Sequence, residues 1–299
     1  YGDHRDLHLS IRRQRQMCIR DRPVTTPEIL GRKKSGKKIT ALTAYDYSLA
    51  KLLDATDLDI ILVGDSLGMV SLGHENTLSV TMENMIDHTQ AVKQGAQRVL
   101  VVGDMPFMSY QVSVEQAVTN AGRLIQEGGA SAIKLEGGTR MADRVQSIVQ
   151  AGIPVMGHIG LTPQSVHQFG GYKVQGKNYP DSQQIKQDAC DLQNAGIFAL
   201  VLEGIPGELA EEITTELKIP TIGIGAGSKC DGQILVLHDL LGLNQDFVPK
   251  FVKQYAQLAD ILKNAVTKYI EDVRTEIFPG QEHTYQSKQG KLKQVNDGN

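Results

Sequence analysis

Short apolar runs rich in β-branched residues recur along this chain and alternate with stretches of helical spacing. The strand-like runs are 38–45, 59–64, 98–103, 132–136, 153–158, 198–203, 220–224 and 234–237. Between them, 46–56 sets Leu49, Leu52 and Leu53 at helical spacing, and 81–95 places Met85, His88 and Val92 on one face. Thr81 is positioned to cap that helix, while Ser113 with Gln116 three residues on opens the next in a capping-box pattern. Further helices are predicted up to Ala151, over 181–195 and 206–217, and as one long terminal helix or two over 249–276. Eight β/α alternations with no hairpin signal predict an α/β fold, a (β/α)8 TIM barrel. An open doubly wound sheet is the alternative.

Five of these runs end on an acid or a histidine: Asp65, Asp104, Glu136, His158 and Glu203. The apolar part of a strand is fixed in a core, whereas its last residue is free to meet a ligand. Such residues at five strand ends predict one site at the C-terminal mouth of a barrel. Lys134 lies two residues before Glu136, so both point to the same face. Converging carboxylates repel one another unless a cation separates them, and hard oxygen donors suit Mg2+. His158 is a candidate to donate to an oxyanion or orient a ligand. The plainer reading makes each acid a helix cap or an arginine partner, Lys134 a salt bridge to Glu136 or a neighbouring acid, and His158 structural. Glu203, which closes LVLEG beside Leu200 and Leu202, is a candidate general base. Gly160 to Pro180 is long and polar and is expected to act as a lid. The glycine-rich run 222–228 is either a phosphate cradle or a tight turn.

Composition narrows the function classes. The chain has 299 residues, of which 40% are hydrophobic and 22% charged, enough for a packed core. A net charge of −3 with no basic stripe in the body argues against nucleic acid as a partner. No apolar run approaches the roughly 18 residues of a spanning helix, which argues against a membrane role. Cys18, Cys190 and Cys230 form neither a C-x-x-C motif nor a disulfide framework, so a cytoplasmic, reducing location is expected. Residues 1–22 are Arg-rich, aperiodic and without an apolar segment, and read as a disordered or non-native extension. Residues 286–299 read as a flexible polar tail, leaving 23–285 as a single catalytic domain.

The segments ILVGDSLGMVSLGHENTLSVTMENM, VVGDMPFMSY, AIKLEGG, PVMGHIGLTPQSVHQFGGYKVQG, LVLEGIP and IPTIGIGAGSKCDGQILVLHD occur in that order. Together they resemble the ketopantoate hydroxymethyltransferase family over roughly residues 25–283. The resemblance implies a barrel of the phosphoenolpyruvate/pyruvate type, assembled as a homo-oligomer, usually a decamer. It implies transfer of a one-carbon unit from 5,10-methylenetetrahydrofolate to 3-methyl-2-oxobutanoate with Mg2+. Carried over by motif, Asp65 and Asp104 bind the metal and lie against the oxo acid, Ser66 touches the substrate, and Lys134 binds it. Glu136 serves the metal through water, and Glu203 is the proton acceptor. Two other functions stay open. A carbon–carbon lyase of the isocitrate-lyase type would carry a catalytic cysteine loop, which none of the three cysteines supplies. A noncatalytic ligand-binding barrel would tolerate loss of the carboxylates.

Overall fold

Residues 22–245 and 248–285 are described by the computed structural model. The expected extension, apart from Arg22, and the expected tail lie outside them. Eight parallel strands form a closed barrel in chain order: β1 Ile39–Thr43, β2 Ile60–Val63, β3 Leu100–Asp104, β4 Ala132–Glu136, β5 Val155–Gly160, β6 Ala199–Glu203, β7 Thr221–Ile224 and β8 Gly232–Leu235. Closure is completed by β1 pairing with β8, Ala41 opposite Ile234. The open-sheet alternative is therefore excluded.

The period of two divides each strand between two cores. Ala41, Leu62, Val102, Ala132, Val201 and Ile222 belong to the cluster that fills the barrel. Their neighbours Ile61, Val101, Ile133, Leu200 and Leu202 belong to the cluster shared with the surrounding helices. Leu200 and Leu202 thus face the helices rather than lining the mouth beside Glu203. The inward residues that continue the first set are Asp104, Lys134, Glu136, His158 and Glu203.

The helices begin where the sequence supplies caps. Thr81 and Asn84 form a reciprocal capping box at Met82–Gly95. Ser113 accepts from the Gln116 amide at Val114–Gln126, and Asn178 caps Tyr179–Ala195 with Pro180 in the first turn.

Four expectations need correction. Residues 225–231 join β7 to β8 with no helix; seven residues, with Gly225 and Gly227 both at positive φ, turn straight back. The terminal helix covers only Leu258–Arg274, because 249–257 lies in turns and irregular backbone. The segment 160–180 is not one open loop: 163–165 is a 3-10 turn, Val166–Phe169 is helical, and the next helix starts at Tyr179. A helix absent from the sequence reading, Thr26–Ser35, precedes β1. Its Ile29, with Val24, packs into the cluster that fills the barrel and so closes the floor. Full burial of one such side chain contributes about 1.5–3 kcal/mol. Arg32 of this helix pairs with Asp59 at 2.7 Å, both buried.

Candidate active site

Strand register assembles the site. In the parallel ladder Asp104 stands opposite Lys134, Glu136 opposite His158, and Gly160 opposite Glu203. Asp65 follows β2 by two residues, and its amide donates to Asp104 Oδ2 at 3.3 Å. All of the sequence-predicted acids and bases therefore meet at the C-terminal mouth. Asp65, Asp104, Lys134, Glu136 and His158 are buried there. Glu203, with a side chain 16% exposed, is the least buried and the best placed to meet a ligand. Gly160 is required beside it: φ is +94° and a Cβ would lie 2.3 Å from the Glu203 carbonyl oxygen.

Lys134 Nζ donates to both Asp104 oxygens, at 2.9 and 2.8 Å, and lies 3.5 Å from Glu136 Oε1. The salt bridge expected from the plainer reading exists, with the neighbouring acid Asp104 as its main partner. His158 bridges two acids, with Nδ1 3.4 Å from Glu136 Oε1 and Nε2 3.2 Å from Glu203 Oε2. Neither nitrogen is aligned for a hydrogen bond, and Glu136 Oε1 has no hydrogen-bond partner either. Ser66 Oγ is 2.8 Å from the Tyr45 hydroxyl.

Electrostatics follow from this crowding. Burial, and then the charges of Asp104 and Glu136, push the Asp65 carboxyl well above its ordinary range. Burial also raises Asp104, although Lys134 opposes it. Burial works against the charge on Glu136, but Lys134 and His158 outweigh it and its pKa is lowered. Burial and Lys134 work against protonation of His158; Glu136 and Glu203 prevail and raise it to about 9. Burial likewise opposes the charge on Lys134, and Asp104, Glu136 and Asp65 hold it raised.

Two functional side chains escaped the sequence reading. Gln164, at the root of the segment after β5, is buried and donates from Nε2 to Asp65 Oδ2 and the Met105 carbonyl, each at 2.9 Å. Its backbone amide donates to Glu136 Oε2 at 3.0 Å. Tyr110, also buried, contacts Gln164 Oε1 at 2.7 Å and accepts from the Glu136 amide at 3.1 Å. Neither carries a charge, and nothing local in the sequence marks them. The expected lid divides in two at this point. Its root, 161–165, is largely buried, whereas 166–175 is mostly half-buried or exposed, with Tyr172 reaching Met69 Sδ at 3.7 Å.

The donor set suits a hard divalent cation. Three buried carboxylates share one ammonium and one imidazole, Asp65 and Asp104 are driven toward protonation, and a Glu136 oxygen is orphaned. Among the described residues, no three His, Cys, Asp or Glu side chains form a ready-made metal cage. The arrangement corresponds to an ion held by one or two carboxylates, with water and ligand in its other positions.

The glycine-rich run 222–228 does not join this cluster. Gly225, Gly227 and Ser228 line a cavity of about 520 Å³ with Lys38, Thr40 and Gln233. Thr40 and Gln233 are exposed and point away from the barrel interior, so this cavity opens on the flank. Lys38 Nζ is engaged by the Cys230 carbonyl at 2.5 Å. No helix of the described residues is long and apolar enough to cross a membrane.

Comparison with known proteins is consistent across the chain. A family model described as ketopantoate hydroxymethyltransferase matches residues 23–281. The 3-methyl-2-oxobutanoate hydroxymethyltransferase of Syntrophus aciditrophicus (strain SB) is 57% identical over 264 residues, covering 88% of this chain and 97% of that one. The protein of the same name from Thermoanaerobacter sp. (strain X514) is 60% identical over 253 residues, covering 85% and 92%. Among solved structures, phosphonopyruvate hydrolase in complex with oxalate and Mg2+ superposes with a TM-score of 0.56 at 13% identity, covering 87% of this chain and 93% of that one. The structure of 2,3-dimethylmalate lyase, a PEP mutase/isocitrate lyase superfamily member, gives 0.55 at 16% identity, covering 87% and 92%. These two likenesses establish the shared barrel fold.

Proposed function

The chain belongs to the ketopantoate hydroxymethyltransferase family, and from that premise we propose that it transfers a hydroxymethyl group from 5,10-methylenetetrahydrofolate to 3-methyl-2-oxobutanoate. The product is 2-dehydropantoate, for pantothenate biosynthesis. The observation that carries this reading is the convergence of Asp65, Asp104, Lys134, Glu136, His158 and Glu203 on one mouth.

Asp65 and Asp104 would hold a Mg2+ ion, with Glu136 acting through water. When bound, that ion supplies Lewis acidity toward the ketone oxygen of the oxo acid. Lys134 offsets the negative charge of the substrate carboxylate. Ser66, fixed by the Tyr45 hydroxyl, hydrogen-bonds the oxo acid, and His158, protonated through its two acidic neighbours, donates toward it. The Glu203 carboxylate takes the proton from C3. The carbon thus freed bonds to the folate-borne methylene as one methylene C–N bond breaks and that nitrogen takes a proton; water then replaces the second nitrogen, releasing the hydroxymethyl product and tetrahydrofolate. The exposed segment 166–175 excludes water while the proton is away from carbon. The same reading makes 23–285 one catalytic domain of a cytoplasmic homo-oligomer, a decamer by resemblance.

Solvent deuterium incorporation tests it. In D2O the enzyme should exchange the C3 proton of 3-methyl-2-oxobutanoate with Mg2+ and without folate, and added methylenetetrahydrofolate should divert the substrate to product. Absence of exchange in the wild-type protein, with or without the metal, overturns this reading. Turnover of the oxo acid by carbon–carbon cleavage without folate would favour the lyase instead.

A further inference from the structure

We propose that Gln164 is a positioning residue: from the root of the segment after β5, it fixes the orientation of the Asp65 carboxylate for a divalent cation. The inference rests on the Mg2+ reading above and adds a residue to it.

The geometry determines which way the amide points. Asp65 Oδ2 and the Met105 carbonyl oxygen, both acceptors, lie 2.9 Å from the Gln164 nitrogen. A flipped amide would set its oxygen against both of them. On the other side, Gln164 Oε1 receives Tyr110 at 2.7 Å and Gln111 Nε2 at 3.3 Å. Tyr110 also lies 3.1 Å from the Glu136 carbonyl, but its hydroxyl carries a single proton. The shorter contact takes that proton, and the lone pairs accept the Glu136 amide. Tyr110 is thereby committed as a donor to Gln164, and Gln164 as a donor to Asp65.

The arrangement answers a specific need. Asp65 is buried beside Asp104 and Glu136, and among the described residues no cationic side chain lies within ion-pair distance of it, whereas Lys134 pairs with Asp104. An unanchored carboxylate there would turn away from its like-charged neighbours. Gln164 holds Oδ2 and leaves Oδ1 for the ion. Its backbone amide meanwhile holds Glu136 Oε2, so one residue spans two of the three acids. Residues that orient a ligating group in this way typically account for about 10–100-fold in metal affinity.

Calorimetric titration of the full-length protein with Mg2+, without substrate, separates the possibilities. Gln164→Met keeps the bulk and removes both hydrogen-bonding ends. It should weaken Mg2+ by about 10–100-fold, with melting temperature and circular dichroism close to wild type. The KM for Mg2+ should rise by a similar factor, while kcat at saturating metal falls much less. Tyr110→Phe removes one hydroxyl and should weaken Mg2+ in the same direction by a smaller factor; it serves as the test should Gln164→Met fail to fold. Wild-type Mg2+ affinity in the folded variants overturns the role of Gln164 and leaves the metal reading intact. A wild-type protein that gives no Mg2+ isotherm overturns both.

Discussion

Two of the buried ion pairs among the described residues have opposite character. At the floor, Arg32 pairs with Asp59 at 2.7 Å, and the second Asp59 oxygen accepts from the Thr40 amide and hydroxyl at 3.0 and 3.1 Å. Both oxygens of that acid are satisfied by groups that stay in place. At the mouth, Lys134 pairs with Asp104 at 2.8 Å, but Asp65 and Glu136 crowd the same space. The floor acid is fully partnered, and its pair is structural. The mouth pair leaves negative charge over, which a bound cation can offset. Burial alone therefore does not mark a functional charge; an imbalance among buried charges does.

The largest effect expected is at the mouth. Glu203→Gln should slow C3 exchange by about 10²–10⁴-fold, the usual worth of a general base, with the fold retained by circular dichroism. Exchange at the wild-type rate would remove Glu203 from the base role. Next comes the floor. Asp59→Ala leaves Arg32 only the more exposed Glu28, at 3.3 Å, and should cost up to about 3–5 kcal/mol of stability, read by denaturant unfolding, with Mg2+ affinity preserved in the folded fraction. An intact stability would erase the distinction drawn between the two pairs.

Asp65→Asn should have the opposite sign. It relieves repulsion and should leave the metal-free protein as stable or more stable by ~1 kcal/mol, while Mg2+ binding is lost in calorimetry. A destabilised, metal-binding variant would show that Asp65 is structural. The smallest effect is a pH trend. The folded pKa of His158 is raised from 6.5 to about 9, so the stability it contributes is complete below about 6.5 and disappears as pH rises through about 9. Asp65, also raised, acts in the same direction. In chelator, the melting temperature should fall between pH 6.5 and 9, and saturating Mg2+ should flatten that slope.

What could be read from the sequence depended on periodicity. The barrel and the acids at the strand ends were legible because a strand buried on both faces fixes the direction of its last residue, as in AIKLE of β4. The i, i+2 relation of Lys134 and Glu136 came from the same rule. Gln164 and Tyr110 were not legible, because their partners lie 99, 59, 54 and 26 positions away and their chemistry is neutral. The helix Thr26–Ser35 escaped notice because its buried residues are only Ile29 and Arg32, too few to give a helical stripe. The terminal helix was drawn too long because Phe251, Val252 and Tyr255 mimic helical spacing in a segment that does not form one. Leu200 and Leu202 were placed beside Glu203 by adjacency in the chain, although alternation sends them to the opposite face.

The pairing of Asp104 with Lys134 and of Glu136 with His158 across adjacent strands also sets what kinds of change this chain can absorb. Adding one residue inside β4 ahead of Lys134 would swing the ammonium and Glu136 out among the helices and bring greasy side chains into the pore in their place. The same addition among residues 166–175 would only lengthen a surface excursion. Descendants of this sequence are thus free to lengthen what hangs over the entrance, but the count of residues along each stave is fixed.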